Sequence, residues 1–177
     1  SLFFFFSLLT LFSLTRALSL PWNPFSYAAV QQTHVWFLKR AQIVVADVWA
    51  CFDGQGLGRF DDIDSITMFA DYRVPQALVH FGCLRYSDEL TEALRQGVRL
   101  QPGERREMEI RAGSIWAVER VVQELRRSIG VAQQQQQQPQ GRAGPAHGVN
   151  AILVDFWLWD TAKRERDAMA HVPIHKT

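Results

Sequence analysis

Carboxylates set among aromatic side chains occur in two stretches of this sequence. Asp62, Asp64, Phe69, Asp71 and Tyr72 make one; Asp155, Trp157, Trp159 and Asp160 make the other. That mixture of residue types suits cleavage of a bond to an anomeric carbon. Breaking such a bond builds oxocarbenium character, which a fixed carboxylate stabilises, and the same or a second carboxylate can orient the attacking water. An acid buried beside Phe69 or Trp159 has its pKa raised by desolvation, which suits a proton carrier near neutral pH. Each acid also has a plain structural alternative. Asp62 could serve only as a helix cap, and Asp155 or Asp160 could serve only to pair with Lys163 or Arg164, at i+4 or nearby. Asp71 stands apart because it precedes a chain break in apolar surroundings, with a pairing to Arg73 as the competing explanation.

Other chemistries find little in the sequence. His34, His80, His147, His171 and His175 form no HExxH and no Cys/His finger spacing, and Pro173 spoils a helical metal face between the last two. No metal and no other cofactor is expected. There is no GxSxG elbow, Walker loop or SxxK. Cys51 and Cys83 are far apart and signal neither a disulfide framework nor a zinc site, so a reducing, cytoplasmic setting is the expectation. Gly54 to Gly58 reads G-x-G-x-G with no βαβ strand before it, so a flexible loop is expected there instead of a phosphate cradle.

The elements that must position these residues are predominantly helical. Apolar residues from Phe37 to Phe52 recur at three- and four-residue spacings, which predicts a helix buried on most of its circumference. Asp61, Asp62 and Asp64 gather as at the positive end of a macrodipole, predicting a helix start over Asp61 to Met68. Pro75 begins a short helix to about His80 that Gly82 ends, and Ser87 caps the next, Asp88 to about Arg95, with Gly97 behind it. A long helix over Glu104 to Ile129 follows, with Gly113 and Ser114 as a close packing point or bend. Val131 to Val149, with its glutamine run, reads as a low-complexity loop. A last helix begins near Asn150, with a short strand over Ala151 to Leu158 as the alternative.

Composition bounds the partners. Nineteen Lys and Arg against 18 Asp and Glu leave a net charge of only +1, so no long-range positive field argues for direct nucleic-acid binding, and a nucleotide ligand must be held locally. At 177 residues, 47% hydrophobic and 21% charged, the chain reads as one globular domain. Residues 1–32 are set apart as an apolar, irregular start: Ser1 to Leu20 carries one charge, Arg16, but is a poor signal peptide, and its uncharged part is short for a membrane span. A mis-assigned or truncated start, no membrane association and no protein partner are expected, with the folded domain over 33–177.

The stretches Leu38 to Trp49, Phe60 to Ile63, Ile66 to Gln76 and Leu84 to Leu90 closely resemble the queuosine salvage protein family. The likeness continues through Glu109 to Arg111, Ile115 to Glu119 and Asn150 to Asp160. The resemblance implies an all-α fold similar to helix-hairpin-helix DNA glycosylases, here as a partial chain, the C-terminal half. It implies an N-glycosidase that cleaves queuosine 5′-phosphate, a small-molecule nucleotide, to release queuine for transfer-RNA modification. By resemblance Asp71 is the first choice for the carboxylate facing the anomeric carbon and Asp62 the second. Phe69, Tyr72, Asp155, Trp159 and Asp160 are substrate-binding candidates, and Lys39 and Arg73 are candidates for the 5′-phosphate. Family members carry a long region before the Lys39 helix and continue past the His175 segment, so part of the pocket is expected to be missing. Two competing readings stand beside this one: an inactive fragment of that enzyme, and a helix-hairpin-helix nucleic-acid-binding or DNA glycosylase-like module.

Overall fold

The computed structural model describes residues 27–30, 33–135 and 148–174, so the apolar start, the second half of the glutamine run (Gln136 to Gln138) and His175 lie outside the described residues. The chain is mostly helical, as the apolar spacing predicts. A two-stranded antiparallel hairpin, β1 (Tyr27–Val30) and β2 (Thr33–Trp36), precedes the helices, with Tyr27 opposite Trp36 and Val30 opposite Thr33. The sequence reading did not include it, because Gln31-Gln32 lacks the Asn-Gly or Gly-X signal that marks a two-residue hairpin connection.

Among the described residues five α-helices follow: α1 (Lys39–Cys51), α2 (Arg73–His80), α3 (Asp88–Arg95), α4 (Arg105–Gln135) and α5 (Ala151–Arg164). Side chains of the N-cap residues start two of them. Ser87 Oγ accepts the Leu90 N–H at 3.1 Å to start α3, and Asn150 Oδ1 accepts the Leu153 N–H at 3.1 Å to start α5, so the alternative strand over Ala151 to Leu158 is not formed. Helix α4 runs through Gln135, beyond the expected end at Ile129. Glutamine is a good helix former, and extending an existing helix gains a hydrogen bond for each residue fixed.

The expected helix over Asp61 to Met68 is absent; only one 3₁₀ turn, Ile63–Ser65, forms there. The amides beyond that turn bond to side chains from other elements instead of to one another. Gln42 Oε1 accepts the Thr67 N–H at 2.9 Å, and Asp155 Oδ2 accepts the Phe69 N–H at 2.8 Å. The glycine run after α1 forms one 3₁₀ turn, Gly56–Gly58, that closes on α1 at Gly58. A Cβ on Gly58 would lie 2.6 Å from Phe52 Cβ and 2.8 Å from the Val48 carbonyl, so the turn can press against α1 only with glycine there.

Helix α2 is the centre of the packing. Val74, Ala77 and Leu78 meet Val118 and Val122 of α4 and Val154, Leu158 and Ala162 of α5 in one apolar cluster. A second cluster joins Val45, Ala46 and Trp49 of α1 to Ile63, Ile66, Phe69 and Ile152. Burying a side chain such as Ile152 completely contributes about 1.5–3 kcal/mol. The segment Ile66 to Asp71 joins these clusters, with Ile66 and Phe69 in the second and Met68 in the first, and it bonds to Gln42 of α1, Arg111 of α4 and Asp155 of α5.

Candidate active site

Asp71 and Asp155 are both buried, at 8% and 3% exposure, although each carries an ionisable carboxyl. Ile152 sits one turn before Asp155 on α5 and is fully enclosed, so the same helix face that builds the core carries the acid inward. Burying an unpaired charge is costly, and Asp155 meets that cost by holding its proton: desolvation is the main cause that pushes its pKa to about 7. The Phe69 N–H on Oδ2 opposes this, the Asp71 charge adds to it, and the Lys39 charge opposes it.

Asp71 lies two residues ahead of α2. Its Oδ1 accepts the backbone N–H groups of Arg73 at 2.8 Å and Val74 at 3.0 Å, orphan donors of the first turn. The competing explanation therefore takes a different form from a side-chain pair. Among the described residues the Arg73 guanidinium makes no ion pair with Asp71; it is the Arg73 amide that bonds. Both bonds land on Oδ1, and among the described residues Oδ2 accepts none.

Lys39 completes the group. It is the first residue of α1, where a cation faces the positive end of the helix dipole, a placement that stability alone disfavours. Burial lowers its pKa first; Asp71 and Asp155 raise it, and Arg111 and Arg40 lower it. Leu38 before it adopts a left-handed backbone, φ 47°, and Gln42 Nε2 bonds the Phe37 carbonyl at 2.9 Å while its Oε1 holds Thr67. One amide side chain thus ties the start of α1 to the segment that ends in Asp71. Phe69 holds Asp155 through its backbone N–H, while its ring packs into the second apolar cluster, 6.0 Å from Phe156.

The remaining candidates sit elsewhere. Asp62 is part-buried ahead of the 3₁₀ turn, and it is not among the charges acting on Lys39 or Asp155. Its side chain makes no cap bond to that turn. Tyr72 is exposed beneath the Arg73 guanidinium, 5.4 Å from the ring centroid. Arg73 lines a separate groove of about 810 Å³ with Gln76, Arg95, Arg166 and His171, which neither Asp71 nor Asp155 lines. Asp160 is exposed and pairs with Arg164 at 3.1 Å, the structural alternative read for it. Five residues along a helix turn the side chain by roughly 140° net, so Asp160 cannot share the inward face of Asp155. Trp159, four residues from Asp155 and so near its face, is exposed, with the Lys163 ammonium 5.2 Å from its ring.

Two buried residues escaped the sequence reading: Glu107 and Arg111, an ion pair on α4. The signal was present. Glu107, Arg111, Ser114, Val118 and Val122 all lie on the buried stripe of α4, and its first two members are charged. Among the described residues no three or more His, Cys, Asp and Glu side chains group as a metal site, and no helix is long and apolar enough to cross a membrane.

Comparison with known proteins gives a consistent picture. The family model described as queuosine salvage protein matches residues 24–177. The chain is 46% identical over 141 residues to a queuosine 5′-phosphate N-glycosylase/hydrolase of Mus musculus, covering 80% of this chain and 39% of that protein. It is 43% identical over 145 residues to the protein of that name from Nematostella vectensis, covering 80% and 40%. It is 48% identical over 128 residues to the one from Schizosaccharomyces pombe, covering 72% and 32%. The chain thus spans well under half the length of these curated relatives.

Proposed function

This chain belongs to the queuosine salvage protein family, and on that premise we propose that it carries the acid–base half of a site that hydrolyses queuosine 5′-phosphate to queuine and ribose 5-phosphate. The observation that carries the reading is the gathering of Lys39, Asp71 and Asp155 around the segment Ile66 to Asp71, with Asp155 pushed to about pH 7.

In this reading the Asp71 carboxylate faces the anomeric carbon. Its Oδ1 is fixed by two amides, so Oδ2 meets the developing oxocarbenium charge without first reorganising. Water adds to the sugar carbon, giving up a proton to the Asp71 carboxylate, as the bond to the base nitrogen breaks, and the electron pair of that bond leaves with the base. A 7-deaza base has carbon where a purine has N7, so the usual protonation at N7 is closed and more of the barrier falls to oxocarbenium stabilisation. Asp155, half-protonated near neutral pH, suits either a hydrogen bond to the base or delivery of the proton that the departing base needs. Phe69 fixes Asp155 through its amide, and Trp159 offers a ring nearer the solvent side for the flat base. Lys39 takes Asp71 and Asp155 as its first partners, so it balances the two carboxylates, and a substrate phosphate would have to compete for it.

The test is release of queuine from queuosine 5′-phosphate by the purified chain, followed by mass, beside an Asp71→Asn control. Release that falls at least about 100-fold in the control is the expected result. Release at an unchanged rate in Asp71→Asn refutes the assignment of that carboxylate.

A further inference from the structure

We infer that the buried Glu107–Arg111 pair is a positioning device for the proposed site: it fixes the segment Phe69-Ala70-Asp71, and through it the relation between the two carboxylates. The inference rests on the hydrolase reading above for its catalytic consequence, but not for its geometry.

Three consecutive residues carry the argument. The Phe69 N–H binds Asp155, the Ala70 carbonyl accepts from Arg111 Nη1, and Asp71 turns back to cap α2. Arg111 therefore grips the Ala70–Asp71 peptide unit, the second of the two that join Phe69, whose amide bonds Asp155, to Asp71. Its Nε bonds Glu107, and its guanidinium lies 6.0 Å from the ring centroid of Phe37, just ahead of the Lys39 helix. Glu107 is in turn fixed by the Gly103 N–H at 3.2 Å, in the first turn of α4, where a carboxylate suits the helix dipole. The planar fork of arginine can hold a carboxylate and a carbonyl at once, which a lysine ammonium on its flexible stem does far less rigidly.

Stability does not account for the pair. Arg111 is 5% exposed and Glu107 3%, in apolar surroundings that include Phe37, Ala70 and Met108, and desolvating two charges commonly cancels what their attraction returns. Apolar residues of similar volume would hold α4 in place as well. What they could not do is fix the Ala70 carbonyl. Arg111 also acts electrostatically on Lys39, so the same residue sets the geometry and one charge of the group.

The experiment compares the wild-type chain with Arg111→Met, the double variant Glu107→Leu/Arg111→Met, and Glu107→Gln, which keeps the arginine but weakens its anchor. Amide hydrogen exchange at Phe69, referred to the core amide of Val118, gives a readout without substrate. Exchange at Phe69 is expected to rise by about 10-fold or more relative to Val118 in the variants. With queuosine 5′-phosphate as substrate, kcat should fall by up to about 100-fold with little change in KM, because the loss lies in alignment and not in uniform binding. Should Arg111→Met fail to fold, the double variant and Glu107→Gln decide the matter. Unchanged Phe69 exchange in a folded variant overturns the inference. If the wild-type chain releases no queuine, the hydrolase reading fails for this chain alone, and Phe69 exchange still decides the role of the pair.

Discussion

Replacing Asp155 by asparagine should change how the stability of this protein depends on pH, and the structure fixes both sign and size. The folded chain holds the Asp155 carboxyl at about pH 7, against 3.8 for the free side chain. Between those values the folded state keeps a proton that the unfolded state has lost. Stability contributed by this group is therefore fully present below pH 3.8 and is lost as pH rises through 7. A slope of about 1.4 kcal/mol per pH unit over about three units amounts to roughly 4 kcal/mol. Asparagine is close in shape, can still accept the Phe69 N–H, and does not titrate. The difference in unfolding free energy between wild type and Asp155→Asn, from urea midpoints at fixed m, should move by about 4 kcal/mol in favour of the variant between pH 4 and pH 8. Taking the difference removes carboxylates that titrate alike in both proteins. A difference that stays flat across that range would mean that Asp155 ionises like an exposed acid, and the argument from its burial would fall.

Lys39→Met should raise the Asp155 midpoint further, since the Lys39 charge opposes the rise; a carboxyl carbon-13 titration reads this, and a lowered midpoint contradicts the cluster. Asp71→Ala should cost about 1 kcal/mol through loss of the α2 cap, whereas Asp71→Asn should keep most of that stability while losing queuine release, as urea unfolding beside the release assay would show. Gly58→Ala should cost about 1–3 kcal/mol, because its Cβ would meet backbone and Phe52. Gly56→Ala, at φ +52° in open space, should cost about 1 kcal/mol of backbone strain; an unchanged melting temperature in Gly58→Ala would refute the packing account.

What the sequence by itself determined is local. Ser87 and Asn150 mark helix starts because a side-chain oxygen finds an amide three residues on, and Gly82 and Gly97 mark ends because only the chain nearby must adopt positive φ. The apolar stripes of α1, α4 and α5 were legible for the same reason: a period of 3.6 is written in consecutive residues. The same locality misled over Asp61 to Met68, where acidic residues imitate a helix start. The amides there are claimed by Gln42 and Asp155, which are 25 and 86 residues distant from their partners.

Tertiary structure alone decided which acids share an environment. Asp155 and Asp160 look alike in sequence, yet five residues of helix turn one inward to Phe69 and the other out to Arg164. Glu107 and Arg111 read as an ordinary charged pair on a helix until the Ala70 carbonyl, 41 residues before Arg111, arrives beside them. A titratable group acquires its chemistry from desolvation and from the charges facing it, and both depend on what other elements bring close. Spacing along the chain could name the candidates; only the packing of α1, α4 and α5 around the segment Ile66 to Asp71 could select among them.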